Sequence, residues 1–202
     1  NSVRLMELKQ GSIDGMDNLV PDFIPNIESD PKLQLLAQRG MNVGYLSMNM
    51  DRPPFHLLKV RRAVNHAVNK QSLVDNLYQG LALPAVNPIP PTLWSYHESI
   101  EGYWYDPERA RQLLAEAGYA NGFETTLWAM PVPRPYMPQP LKIAQAIQAD
   151  LRAVGIQAEI RSFEWGTYLD KVQRGQHDMA LLGWIGDNGD PDNFLYVLLD
   201  KS

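Results

Sequence analysis

Between Phe123 and Trp184 the chain passes through five segments that switch between the two-residue and the 3.6-residue hydrophobic period, and few folds accept that order. FETTLWAM (Phe123 to Met130) alternates like a strand. LKIAQAIQADLRAVG sets Leu141, Ala144, Ile147 and Leu151 on one helical face and stops at Gly155. IQAEIRSF returns to the strand period, EWGTYLDKVQRG is a short helix, and DMALLGW (Asp178 to Trp184) is an apolar strand. Strand–helix–strand–helix–strand is the repeating unit of an α/β fold, a parallel sheet with helices on its faces. Crossovers in such units are right-handed, so all three strands end on one edge, and ligands of open parallel sheets sit beyond that edge.

Past the first of these strands come Arg134 and Tyr136, in the stiff loop PVPRPYMPQP. Past the second comes Trp165, and past the third Trp184 with Asp187. One cation, one anion and three aromatics therefore gather at one rim. Two readings fit that spacing. Arg134 and Asp187 pair with each other over tryptophans that belong to the core, or they meet the two charges of a ligand.

The last loop, LLGWIGDNGDPDNFL, holds Asp187, Asp190 and Asp192 within six residues. A calcium loop of the EF-hand type needs Gly at its sixth position and Glu at its twelfth. Counting from Asp187 gives Asp192 and Leu198, and counting from Asp190 gives Leu195 and Lys201, so the pattern fails. Asp187 and Asp190 could serve as the paired carboxylates of a hydrolase. Against that, Asp190 precedes Pro191, and Asp192 stands where it would cap a helix of FLYVLL. His56, His66, His97 and His177 have no metal-ligand spacing, and His66 lies among alanine and valine as a packed residue would. No nucleophile elbow, phosphate loop or GxGxxG occurs. The residues assign no catalytic group, no metal ligand and no cofactor.

The first half is punctuated by proline. Asp30-Pro31 reads as the start of a helix that runs to Gly40, and NVGYLSMNM (Asn42 to Met50) as a strand. LLKVRRAVNHAVNKQSLVDNLYQG presents Val60, Ala63, Val64, Ala67 and Val68, then Leu73, Val74 and Leu77, as one helix ending at Gly80. A proline-rich linker spans Ala82 to Trp94. In YDPERARQLLAEAGY, Asp106 is the N-cap, Pro107 opens the helix, Ala110, Leu113, Leu114 and Ala117 form its stripe, and Gly118 stops it.

The chain has 202 residues, enough for one large domain or two small ones with a proper core. Its net charge of −5 argues against a nucleic-acid partner, since phosphate binding needs a basic face. No segment approaches the eighteen apolar residues of a membrane span. Cysteine is absent, which removes disulfides and thiolate chemistry. A chain that opens on NSVRLMELKQG and stops soon after its most unusual loop reads as part of something longer.

The runs NVGYLSMNMDRPPF, VRRAVNHAVNKQSLVDNLYQG, NPIPPTLW, YDPERARQLLAEAGY, LWAMPVPRPYMPQP and GWIGDNGDPDNFL, in this order, resemble the extracytoplasmic dipeptide-binding proteins of ABC importers. That solute-binding class also holds oligopeptide-, nickel- and haem-binding members. The resemblance implies a periplasmic binding protein-like lobe, with residues 1–202 forming the single second lobe of a bilobal protein. It implies no enzyme, but capture of dipeptides by their free termini for delivery to permease subunits, in the periplasm or outside the cell, free or lipid-anchored. By position, Asp187 would receive the peptide ammonium, Arg134 the carboxylate, and Trp165 would line the side-chain pocket, with Tyr136 and Trp184 flanking. Asp190 and Asp192 would shape the loop. Haem is the alternative ligand within the class, and a carboxylate-dependent hydrolase the alternative outside it.

Overall fold

The computed structural model describes residues 2–200. Its strands are β1 (Asn42–Met48), β2 (Phe123–Trp128), β3 (Ile156–Arg161) and β4 (Met179–Ile185), in one sheet of order β1-β4-β2-β3. The helices of the first half are α1 (Ser2–Gln10), α2 (Ile24–Glu28), α3 (Leu58–Ala67) and α4 (Lys70–Leu77). They are followed by α5 (Pro107–Glu116), α6 (Pro140–Ala153), α7 (Trp165–Gln173) and α8 (Asp192–Leu199).

The expected unit is present as β2–α6–β3–α7–β4, with β2 parallel to both β3 and β4. The chain steps from β3 across β2, so β2 lies between the other two. β1 then pairs antiparallel with β4 along its whole length, from Asn42 opposite Ile185 to Met48 opposite Met179, which makes the sheet mixed. Among the described residues, no other backbone bond reaches Val43–Met48, so β1 is an edge strand. A groove of about 520 Å³ runs beside it, walled by Val64, Leu73, Val86 and Leu199 among others.

α6 packs on β3 through Ile143, Ala144, Ile147 and Leu151, all buried, and each large aliphatic contributes roughly 1.5 to 3 kcal/mol on burial. Leu141 was expected on that face but is 53% exposed, because the inward stripe runs Pro140, Ile143, Ala144, Ile147 and Leu151, and Leu141 falls outside it. Gly155 takes φ +95°, a left-handed turn that lets α6 end and β3 begin one residue later. α5 matches its sequence reading: Asp106 Oδ1 accepts the Arg109 N–H at 2.9 Å, and Pro107 is the first helical residue.

Two expectations fail for tertiary reasons. The segment from Leu57 to Gly80 is two helices, broken where Val68 turns extended. Asn69 then caps α4 by accepting the Ser72 N–H at 3.0 Å, while its own N–H donates to Asp150 of α6 at 2.9 Å. Burial pushes the Asp150 carboxyl above its usual range, and the Asn69 N–H partly offsets this. The stretch from Asp30 to Gly40 makes one turn, in which Leu33 N–H donates to the Asp30 carbonyl at 3.0 Å, and then no helix. Leu33 and Leu35 are only partly buried and Leu36 is 82% exposed, so no apolar face of this stretch is docked on the core, and propensity alone does not sustain so short a helix.

Candidate ligand-binding site at the carboxyl edge of the sheet

Arg134 sits in the loop between β2 and α6, where reciprocal backbone bonds with Met137 (3.1 and 2.8 Å) close a tight hairpin. Its guanidinium carbon lies 4.4 Å from the centroid of the Trp165 ring, a cation held over an aromatic face. Trp165 is the first residue of α7, and Glu164 before it caps the helix by accepting the Thr167 N–H at 3.1 Å. The Gly166 and Thr167 N–H groups hold the Glu164 carboxyl below its usual range, as expected of an anion at a helix N-terminus.

Trp165 stacks in turn on Tyr168, with ring centroids 5.8 Å apart and planes 16° from parallel. Tyr168 is fully buried, and its hydroxyl lies 3.0 Å from the Trp128 carbonyl of β2 and 2.8 Å from the Leu181 carbonyl of β4. Burial raises its phenol far above the ordinary value. Tyr136 is buried beneath the rim rather than lining it openly: its hydroxyl donates to Met130 Sδ at 3.9 Å, and its carbonyl accepts from the Tyr78 hydroxyl at 2.9 Å. Desolvation raises the Tyr136 phenol, and the charge of Arg134 partly lowers it.

On the neighbouring strand, Trp184 is half-buried against Val43, Ile89, Leu93 and Phe194. Its indole N–H donates to Asn193 Oδ1 at 3.0 Å, and the same oxygen accepts the Asp187 backbone N–H at 3.1 Å. One side chain thus ties the end of β4, the loop and the start of α8 together, leaving the Asp187 carboxylate exposed to solvent. Sequence reasoning passed over Asn193. The signal was there, an amide two residues past the helix-starting Pro191. Asp190 shapes the loop as expected, its Oδ1 accepting the Asp192 N–H at 2.9 Å. Asp192 does not cap α8; it is the first helical residue, Pro191 holds the cap position, and the carboxylate that serves the helix start is that of Asp190.

Arg134 and Asp187 form no ion pair with each other, and among the described residues the Arg134 guanidinium has no carboxylate partner at all. No group of three His, Asp or Glu among the described residues could hold a metal ion. The Arg134 guanidinium thus rests on an aromatic seat and the Asp187 carboxylate stands on a braced loop, and neither is paired with an opposite charge among the described residues.

The whole chain, residues 1–202, matches the family described as bacterial extracellular solute-binding proteins, family 5 Middle, and the chain belongs to that family. It is 45% identical over 197 residues to the dipeptide-binding protein of Escherichia coli strain K12, and 44% identical over 203 residues to heme-binding protein A of Haemophilus influenzae. These matches cover 98% and 100% of this chain but 37% of each relative, so the chain spans little more than a third of their length. The solved dipeptide binding protein of Pseudoalteromonas sp. SM9913 in complex with Met-Leu superposes with a TM-score of 0.88 at 35% identity, over 96% of this chain and 38% of that one. The mixed α/β fold thus matches part of the fold of the periplasmic binding proteins among the solved structures it resembles.

Proposed function

We propose that residues 1–202 form one ligand-binding lobe of a two-lobed solute-binding protein, which captures dipeptides by their free termini and hands them to the permease of an ABC importer. The observation that carries this reading is the unpaired state of Arg134 and Asp187 at the carboxyl edge of β2 and β4. A dipeptide zwitterion presents one cation and one anion at a spacing its backbone fixes, about 3.3 to 3.6 Å per residue. Asp187 receives the ammonium, and the planar fork of Arg134 takes both carboxylate oxygens. Trp165, with Tyr136 and Trp184 behind the rim, supplies apolar walls that tolerate varied side chains. The protein performs no chemistry on its ligand, needs no cofactor, and works outside the cytoplasm.

Kinship to proteins named for dipeptide binding supports the ligand class. The test is calorimetry of the full-length protein with a dipeptide, its N-acetyl form and its C-terminal amide. Capture by termini requires both blocked forms to bind more weakly and the free dipeptide to be recovered intact. Hydrolysis of the dipeptide would favour the hydrolase reading. Similarity to heme-binding protein A favours one second ligand, haem, which an absorbance titration of the same preparation would reveal.

A further inference from the structure

Resting on that reading, we infer that Tyr168, acting through Trp165, is a positioning residue for Arg134, and that this column sets the protein's preference for a free carboxyl terminus. Arg134 makes no side-chain hydrogen bond and no ion pair among the described residues, so the face of Trp165 is what restrains its guanidinium. A stacked guanidinium spends its face and keeps its in-plane N–H donors free. Bidentate capture of a carboxylate needs that combination, a fixed plane with uncommitted edges.

The seat is itself fixed. Trp165 is half-buried and stacks on Tyr168, which is wholly enclosed and lies edge-on to Trp128 at 6.0 Å. β2 and β4 pair over two residues only, Leu127 with Met179 and Trp128 with Ala180. Immediately beyond, the Tyr168 hydroxyl reaches the Trp128 and Leu181 carbonyls, one from each strand, where the two strands part. The column therefore runs from the fork of the sheet through two rings to the guanidinium. A buried phenol hydroxyl needs an acceptor in any case; here the two within reach come one from each parting strand, which pins the ring beneath Trp165.

The test measures dissociation constants for a dipeptide and for its C-terminal amide, in full-length wild-type protein and in the Trp165→Leu, Trp165→Phe and Tyr168→Phe variants. The ratio of the two constants is the readout, because a lost wall weakens both ligands alike. Trp165→Leu should lower the preference for the free carboxylate by about 3- to 30-fold, the size of a stacked cation. Trp165→Phe should restore most of it. Tyr168→Phe, which keeps the ring and removes the hydroxyl, should lower it less than Trp165→Leu does. A wild-type protein with no preference for the free carboxylate would refute the dipeptide reading itself. A wild-type preference that survives Trp165→Leu, or an equal loss for both ligands, overturns the column. A Tyr168→Phe ratio equal to wild type overturns the part given to Tyr168. Should Tyr168→Phe not fold, the two Trp165 variants still decide whether the seat holds Arg134. Tyr168→Trp, which keeps a stacked ring and a donor, then takes the place of Tyr168→Phe, and a ratio equal to wild type again overturns the part given to the Tyr168 hydroxyl.

Discussion

Gly44 and Gly183 stand opposite each other in the β1–β4 ladder, and the slot left by their two missing side chains is filled by Tyr136. A Cβ on Gly44 would come within 2.8 Å of the Tyr136 carbonyl, and one on Gly183 would strike the ring at Cγ and Cδ2. Gly183→Ala should therefore cost about 1 to 3 kcal/mol of stability through overpacking. Urea unfolding measures it, and pairing Gly183→Ala with Tyr136→Leu should recover part of the loss. An unchanged midpoint would show that the Tyr136 loop moves freely away.

Asn193 is the brace of the opposite wall. Asn193→Ala leaves the part-buried Trp184 indole N–H and the exposed Asp187 N–H without their acceptor, at a cost of about 0.5 to 1.5 kcal/mol. Asn193→Asp keeps an acceptor and should be milder. Equal stability of the two variants would mean that Asn193 Oδ1 holds nothing.

For Asp187 a double change discriminates better than a single one. Removing the partner of a buried ammonium costs roughly 2 to 5 kcal/mol of binding, and acetylating the dipeptide removes the same interaction from the other side. Asp187→Ala tested with acetylated ligand in full-length protein should lose much less than the sum of the two. Full additivity places the ammonium elsewhere.

His177 gives the fold a pH dependence of definite sign. It is 6% exposed, its Nε2 lies 3.5 Å from Ser47 Oγ, and its Nδ1 has no partner. Burial lowers its pKa, Arg52 lowers it further, and Asp178 partly restores it. The unfolded chain, titrating near 6.5, takes up the proton before the native state does. The stability tied to neutral His177 is thus complete above that value and is lost as pH falls through the folded pKa. Urea midpoints from about pH 7.5 down to 5 should drop more steeply for the wild type than for His177→Phe. Parallel curves would remove His177 from the account.

What was legible in the sequence divides along physical lines. The βαβαβ unit and the helix at Asp106 were readable because period, cap and stop all agree locally. The break at Asn69 was not, since a carboxylate 81 residues away helps to hold it. Nor was the pairing of β1 with β4, which brings together segments far apart in sequence. His66 did read as a packed residue, and it is buried, its Nδ1 3.0 Å from the Trp104 carbonyl. The meeting of Arg134 and Trp165 was legible, since they follow two strands read as neighbours in a parallel sheet. The rigid supports, Tyr168 and Asn193, were not, because a hydroxyl meeting two carbonyls and an amide bridging two donors leave no periodic trace.

The two rims of the sheet are guarded unequally. β3 carries Glu159 and Arg161, paired to each other at 2.7 Å, and Gln148 of α6 covers its Ala158 carbonyl. The other rim, Val43 to Met48, has no charge and no proline, and among the described residues no side-chain amide bonds to its backbone. Such a border is a template for adding a foreign strand, and inward or flanking charges are the usual deterrent. Prepared by itself and concentrated, the chain is expected to stick to its own kind along β1.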